Sequence, residues 1–209
     1  PRISSVAVAA DNATVAVTMN ETVFNATGGS GNLEASDFAL TLSGGAATLG
    51  SSTATSISKS GNVYTLGMNI SGTPTGFEEI TVIPVDNSIY DASNNEASTN
   101  QVMNQDYLTD KVGPTIVSTV VGANNSNVVV TFSDPVFNTS SGSGALEASD
   151  FTVSVSGGTA SAVAISSVSV SGTAVTLGIT ITGIANGSET ITVTPAANSI
   201  YDNYGNAAG

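Results

Sequence analysis

The chemistry open to this chain rests on carboxylates. Sixteen Asp and Glu stand against three cations, Arg2, Lys59 and Lys111, and the 209 residues include no His, Cys or Trp. Without imidazole or thiol there is neither the usual general base of neutral pH nor a soft metal ligand. What remains is hard oxygen, placed at recurring positions: Glu21 with Asp134, Glu34 with Glu147, Asp37 with Asp150, and Asp91 with Asp202. Asp110 stands just before Lys111-Val112-Gly113-Pro114. Oxygen donors alone select Ca²⁺, which takes about six to eight of them at ~2.3–2.6 Å.

Two readings of these acids stand side by side. In the first, Asp110, Asp134, Glu147, Asp150 and Asp202 converge at a domain junction, where Ca²⁺ cancels their repulsion and stiffens the joint; Glu21, Glu34, Asp37 and Asp91 are the matching set in the first repeat. In the second, Asp37 and Asp150 cap a short helical turn, while Asp91 and Asp202 close Asx turns. Neither an EF-hand spacing nor a glycine–aspartate nonapeptide array is present to decide between them. The adjacent pair Glu78-Glu79 invites a glycosidase reading. Neighbours along a strand point to opposite faces, however, and only Glu78 has a counterpart, Glu189. The expectation is a non-enzyme.

The formal charge of −13 repels nucleic acid and anionic lipid. No apolar run approaches the roughly 20 residues of a membrane span, and no basic-then-apolar leader is present, so membrane insertion is not expected. Charged residues are 9% of the chain where roughly 25% is usual, polarity coming from Ser, Thr, Asn and Gly instead. Such a surface suits an extracellular or cell-surface location.

The elements that must hold these acids are two copies of one unit. Leu33–Phe38 (LEASDF) returns as Leu146–Phe151, 113 positions later, and the offset falls to 111 by Thr65-Leu66-Gly67/Thr176-Leu177-Gly178. One change of register in about a hundred residues is the mark of tandem duplication. The domains are expected at 1–112 and 113–209. Pro1 matches Pro114 inside the repeat, so the chain reads as a piece of something longer.

Short alternating runs rich in Val, Ile and Thr, separated by Gly, Asn and Ser, predict an all-β fold of about seven strands per unit. In the first unit the runs are 3–9, 14–19, 38–42, 53–58, 63–70, 79–83 and 101–108. In the second they are 116–121, 127–132, 151–156, 162–170, 174–182 and 189–194. This spacing describes tandem immunoglobulin-like β-sandwiches. Phe24, Phe38, Tyr64, Tyr90, Phe137, Phe151 and Tyr201 are the expected large core residues. The second unit has no run matching 101–108, which predicts an unpaired edge, left by truncation or filled by β-strand addition from another molecule.

Phe132-Ser133-Asp134-Pro135, Leu146 with Asp150-Phe151, and Asp202 with Gly205-Asn206 resemble the motifs of bacterial Ig-like repeats. Such repeats occur in surface-layer proteins, large adhesins and the cyanobacterial swimming-motility surface protein. The first unit departs from the pattern with Met19-Asn20-Glu21-Thr22 and with Asn94 in place of the glycine. The resemblance implies an extracellular spacer or adhesive segment whose partners are neighbouring repeats of the same protein. The alternative, from another class, is a module that binds a polysaccharide, for which an exposed row of aromatic side chains is the sign.

Overall fold

The computed structural model describes residues 1–209, which divide into two compact units, Pro1–Lys111 and Val112–Gly209. Both are all-β and antiparallel, consistent with β-sandwiches. Unit 1 contains β1 (Ile3–Val8), β2 (Thr14–Met19), β3 (Phe38–Ser43), β4 (Thr48–Leu49), β5 (Ile57–Ser60), β6 (Val63–Gly67), β7 (Ile70–Ser71), β8 (Glu79–Pro84) and β9 (Gln105–Tyr107). One sheet is ordered β1-β2-β6-β5 and the other β3-β8-β9, while β4 and β7 form a short ribbon. Unit 2 contains β10 (Ile116–Val121), β11 (Asn127–Phe132), β12 (Phe151–Ser156), β13 (Ala162–Ser171), β14 (Ala174–Thr182) and β15 (Thr190–Pro195). Its sheets are β10-β11-β14-β13 and β12-β15.

Period-two alternation decides which side chains reach the core. Val15, Val17 and Met19 of β2 and Ile80 and Val82 of β8 are buried, as are Val128, Val130 and Phe132 of β11. Phe38 meets Tyr64 with ring centroids 6.0 Å apart, and Phe151 meets Phe132 at 6.5 Å. The second ring of each core comes from different strands. Where unit 1 has Met19 on β2 and Tyr64 on β6, unit 2 has Phe132 on β11 and Val175 on β14. A large-for-small exchange across neighbouring strands keeps the volume roughly constant, which close-packed interiors tolerate best.

The same alternation corrects the expected core. Phe24, Tyr90, Phe137 and Tyr201 are only half-buried, because their neighbours Val23, Ile89, Val136 and Ile200 take the inward positions. Phe24 and Tyr90 instead join their segments through reciprocal backbone hydrogen bonds of 2.8 Å, as do Phe137 and Tyr201.

The strand expected over 53–58 is also different. In unit 2, β13 runs unbroken apart from a register shift between Ile165 and Ser167. Unit 1 carries two extra residues in this stretch, and the surplus bows out between β4 and β5. The bow reaches the other sheet, where Leu40 N–H donates to Ser52 O (2.7 Å). The run expected over 63–70 breaks after Gly67, whose N–H turns to Ser56 O (2.9 Å). The run expected over 101–108 shortens to β9, which pairs with β8 through Glu79/Tyr107, Ile80/Asp106 and Thr81/Gln105. Asn104 extends this edge by accepting from Val82 N–H (2.8 Å) and donating to Val82 O (2.9 Å).

Candidate functional site

Each unit places its acids at loops, and each loop uses them in the same way. Asp37 ends the 3₁₀ turn Ala35–Asp37, where its Oδ2 accepts the Glu34 N–H at 2.7 Å. Asp150 ends the turn Ala148–Asp150 and accepts the Glu147 N–H at 2.7 Å. A carboxylate at this position satisfies an amide that the turn leaves without an internal partner. Burial raises the Asp37 pKa; the Glu34 N–H bond pulls it down less strongly.

The closing loops are more tightly built. Asp91 Oδ1 accepts the N–H groups of Ser93 and Asn95, both at 2.8 Å, and its Oδ2 accepts Asn95 Nδ2 at 2.7 Å. In unit 2, Asp202 Oδ1 accepts from Tyr204 N–H (2.8 Å) and Asn206 N–H (2.9 Å), with Asn206 Nδ2 on Oδ2 at 2.8 Å. The Asn95 side chain, followed by the loop amides, holds the Asp91 carboxyl below its ordinary range. Asn94, the departure from the glycine of unit 2, adopts φ 68° where Gly205 has φ 84°. Asn is among the few residues other than Gly that tolerate this region, so the loop keeps its shape.

The remaining predicted ligands are dispersed. Glu21 stands beside the Pro1 amino group (3.3 Å), and Asp134 accepts the Ser133 hydroxyl (2.7 Å). Asp110 belongs to unit 1 and lies at its far end from Glu21, near Gly76. The structure thus brings Glu34 to Asp37 and Glu147 to Asp150, and gathers no three acids within either unit. A calcium ion needs several carboxylate oxygens facing one point. Here both oxygens of Asp91 and of Asp202 already face N–H donors.

Sequence reasoning missed the most heavily bonded acids. Glu78 is fully buried, and its Oε1 accepts Ala46 N–H (2.7 Å), Ala47 N–H (2.9 Å) and the Thr75 hydroxyl (3.1 Å). Its Oε2 accepts Thr75 N–H at 2.9 Å. Burial opposes ionisation, yet the amides of Ala47, Thr75, Glu78 and Ala46 outweigh it and lower the pKa to about 2. Glu189 repeats the arrangement with Thr159 N–H (2.8 Å), Ala160 N–H (3.1 Å), Asn186 N–H (3.1 Å) and Gly187 N–H (2.9 Å). The Thr159 amide leads in lowering its pKa to about 2. The signal was a glutamate at one repeat position with a Gly-Gly pair at another.

No family model, curated protein or solved structure matches the chain. Three aromatic rings are exposed, Phe77 and Tyr107 in unit 1 and Tyr204 in unit 2. No helix is long and apolar enough to cross a membrane.

Proposed function

We propose that the chain is a non-enzymatic, extracellular structural or adhesive segment of a larger cell-surface protein or filament, made of two immunoglobulin-like repeats. One observation supports this most: the same three carboxylate locks, Asp37/Asp150, Glu78/Glu189 and Asp91/Asp202, tie loop backbone in both units. Such bonds are charge-assisted and stronger than neutral ones. They commit these six acids to holding loop shape, which suits a spacer that must keep its form under tension. The reading rests on these bonds and does not depend on calcium.

Single-molecule extension tests the mechanical claim. Two separate unfolding events are expected, each releasing roughly 300–400 Å of chain. Gradual lengthening without distinct events would sink the spacer reading. Antibody labelling of intact source cells tests the extracellular placement.

A further inference from the structure

The outer face of the sheet β3-β8-β9 lies wholly within unit 1, and strand register decides what it displays. Ser43, Glu79 and Tyr107 stand in one row across the three strands, and Thr41, Thr81 and Gln105 in the next. Directly opposed residues point the same way, and Gln105 Nε2 donates to Thr81 Oγ1 at 3.1 Å on this side. The other side belongs to the core, where Ile80 and Val82 are buried. Leu108 N–H donates to Glu78 O and Val82 N–H to Asn104 O (2.8 Å each). Glu79/Tyr107 and Thr81/Gln105 are therefore the non-hydrogen-bonded pairs, whose side chains approach most closely. Phe77 comes two residues before Glu79, and with Glu78 turned inward it takes the outward side diagonal to Tyr107. Ile83 and the exposed Met103 close the opposite end by the same alternation.

Two features set this face apart. The rings of Phe77 and Tyr107 are 76% and 57% exposed, and the fold does not need an aromatic at the first of these positions. In unit 2 the places of Phe77, Glu79, Thr81 and Ile83 are held by Ser188, Thr190, Thr192 and Thr194, beside the same glutamate lock. The polar groups around the rings are also uncommitted. The Glu79 carboxylate makes no hydrogen bond, unlike that of Glu78 beside it, and the hydroxyls of Thr41, Ser43 and Tyr107 make none either.

We propose that this face is a binding platform for a neutral polysaccharide built of pyranose rings. The C–H face of such a sugar is apolar and packs on the electron-rich face of Phe77 or Tyr107. The hydroxyls at its rim are donors that the Glu79 carboxylate accepts in charge-assisted bonds, with Thr41, Ser43 and Gln105 as further partners. The two rings are diagonal neighbours, roughly 7–8 Å apart at the backbone, so one short stretch of sugar chain covers both. Size decides against a protein partner. Strands about 4.8 Å apart and a run of seven residues at about 3.4 Å each make a plate of roughly 200–300 Å², where a stable protein interface takes about 800 Å² from each side. The chain's charge of −13 decides against an acidic polysaccharide. The site gives the adhesive part of the reading above its target class and rests on that part; the spacer part is independent of it.

The test is to probe an array of neutral and acidic polysaccharides with the whole chain, then to titrate an oligosaccharide of the best-bound neutral polymer into the ¹⁵N-labelled chain. Expected are binding to neutral polymers and shift changes confined to residues 41–43, 77–83 and 103–109. Phe77→Ala and Tyr107→Ala should each weaken binding about 10-fold, and Glu79→Gln about 5-fold or more. Tyr204→Ala, which removes the exposed ring of unit 2, should leave binding unchanged. Urea midpoints of all four variants should stay at the parent's, because none of these side chains is in the core. An array on which no neutral polysaccharide binds would overturn the proposal, as would equal binding by the Phe77→Ala/Tyr107→Ala double variant. Self-association of the chain in sedimentation, abolished by that double variant, would replace the sugar by a second copy. Each of these failures leaves the two unfolding events of the spacer reading untouched.

Discussion

The carboxyl group of Glu78 occupies the space that a side chain on Gly45 would need, and Glu189 stands in the same relation to Gly158. Both glycines also sit at positive φ, 56° and 58°. The turn is therefore specified twice, once by backbone conformation and once by the carboxylate folded into its concave side. From that seat the carboxylate reaches two successive turn amides and the loop that precedes β8 or β15.

Gly45→Ala and Gly158→Ala should each destabilise their own unit by about 2–3 kcal/mol. Roughly 1 kcal/mol comes from the left-handed backbone and the rest from displacing charge-assisted hydrogen bonds. Urea unfolding followed by unit-specific NMR signals checks this. A loss below about 0.5 kcal/mol in both units would contradict the lock.

The two glutamates also set an acid limit. Their folded pKa of about 2 lies below the ordinary 4.5, so each stabilises the fold fully above about pH 4.5, and the contribution fades as pH falls through about 2. Asp37, held above its ordinary value by burial, acts in the opposite sense and favours the fold at low pH. Urea midpoints for both units should fall between pH 4.5 and 2, and Glu78→Gln should flatten that fall in unit 1 only. Midpoints independent of pH over this range would show that neither glutamate is held as described.

Asp202 offers a graded test of the closing loop. Asp202→Asn can keep Oδ1 for the Tyr204 and Asn206 amides but sets an amide against Asn206 Nδ2, costing about 1 kcal/mol. Asp202→Ala removes all three bonds and should cost about 2–3 kcal/mol. Calorimetry of the two variants should rank them in that order; equal losses would mean the loop is not held through Oδ1.

Matched asparagines separate the units. Asn12→Gly keeps the left-handed turn but frees Thr109, and should cost about 2 kcal/mol for the two part-buried hydrogen bonds it removes. Asn125→Gly, with no bond to lose, should leave unit 2 within about 0.5 kcal/mol of the parent. Equal effects in chemical denaturation would refute the difference drawn between the two positions.

Much of the strand order was legible because alternation is a local signal: β2, β10, β11, β12 and β14 have the bounds their Val, Ile and Thr pattern predicts. The break of β13's counterpart into β4 and β5 was not, since two surplus residues say nothing by themselves about where the excess bows. The half-burial of Phe24 and Tyr90 escaped because ring size was weighed ahead of the inward register of Val23 and Ile89. The recurrence of the acids was plain, but their partners are backbone amides, which leave no mark in a sequence. Glu78 and Gly45 are 33 positions apart, and only the pairing of β3 with β8, across four intervening strands, makes one the reason for the other.

The central claim is that carboxylate-to-amide bonds hold the loops of both units without a metal. The most direct measurement is thermal unfolding in millimolar CaCl₂ against EDTA, with Mg²⁺ as control. The curves should superimpose in both units, while Asp91→Ala and Asp202→Ala lower the transition equally in either buffer. A ligand at about 100 times its Kd adds about 2.7 kcal/mol to the folded state. A calcium-specific rise of that order, abolished by Asp202→Ala, would contradict the account and return these acids to the role of metal ligands.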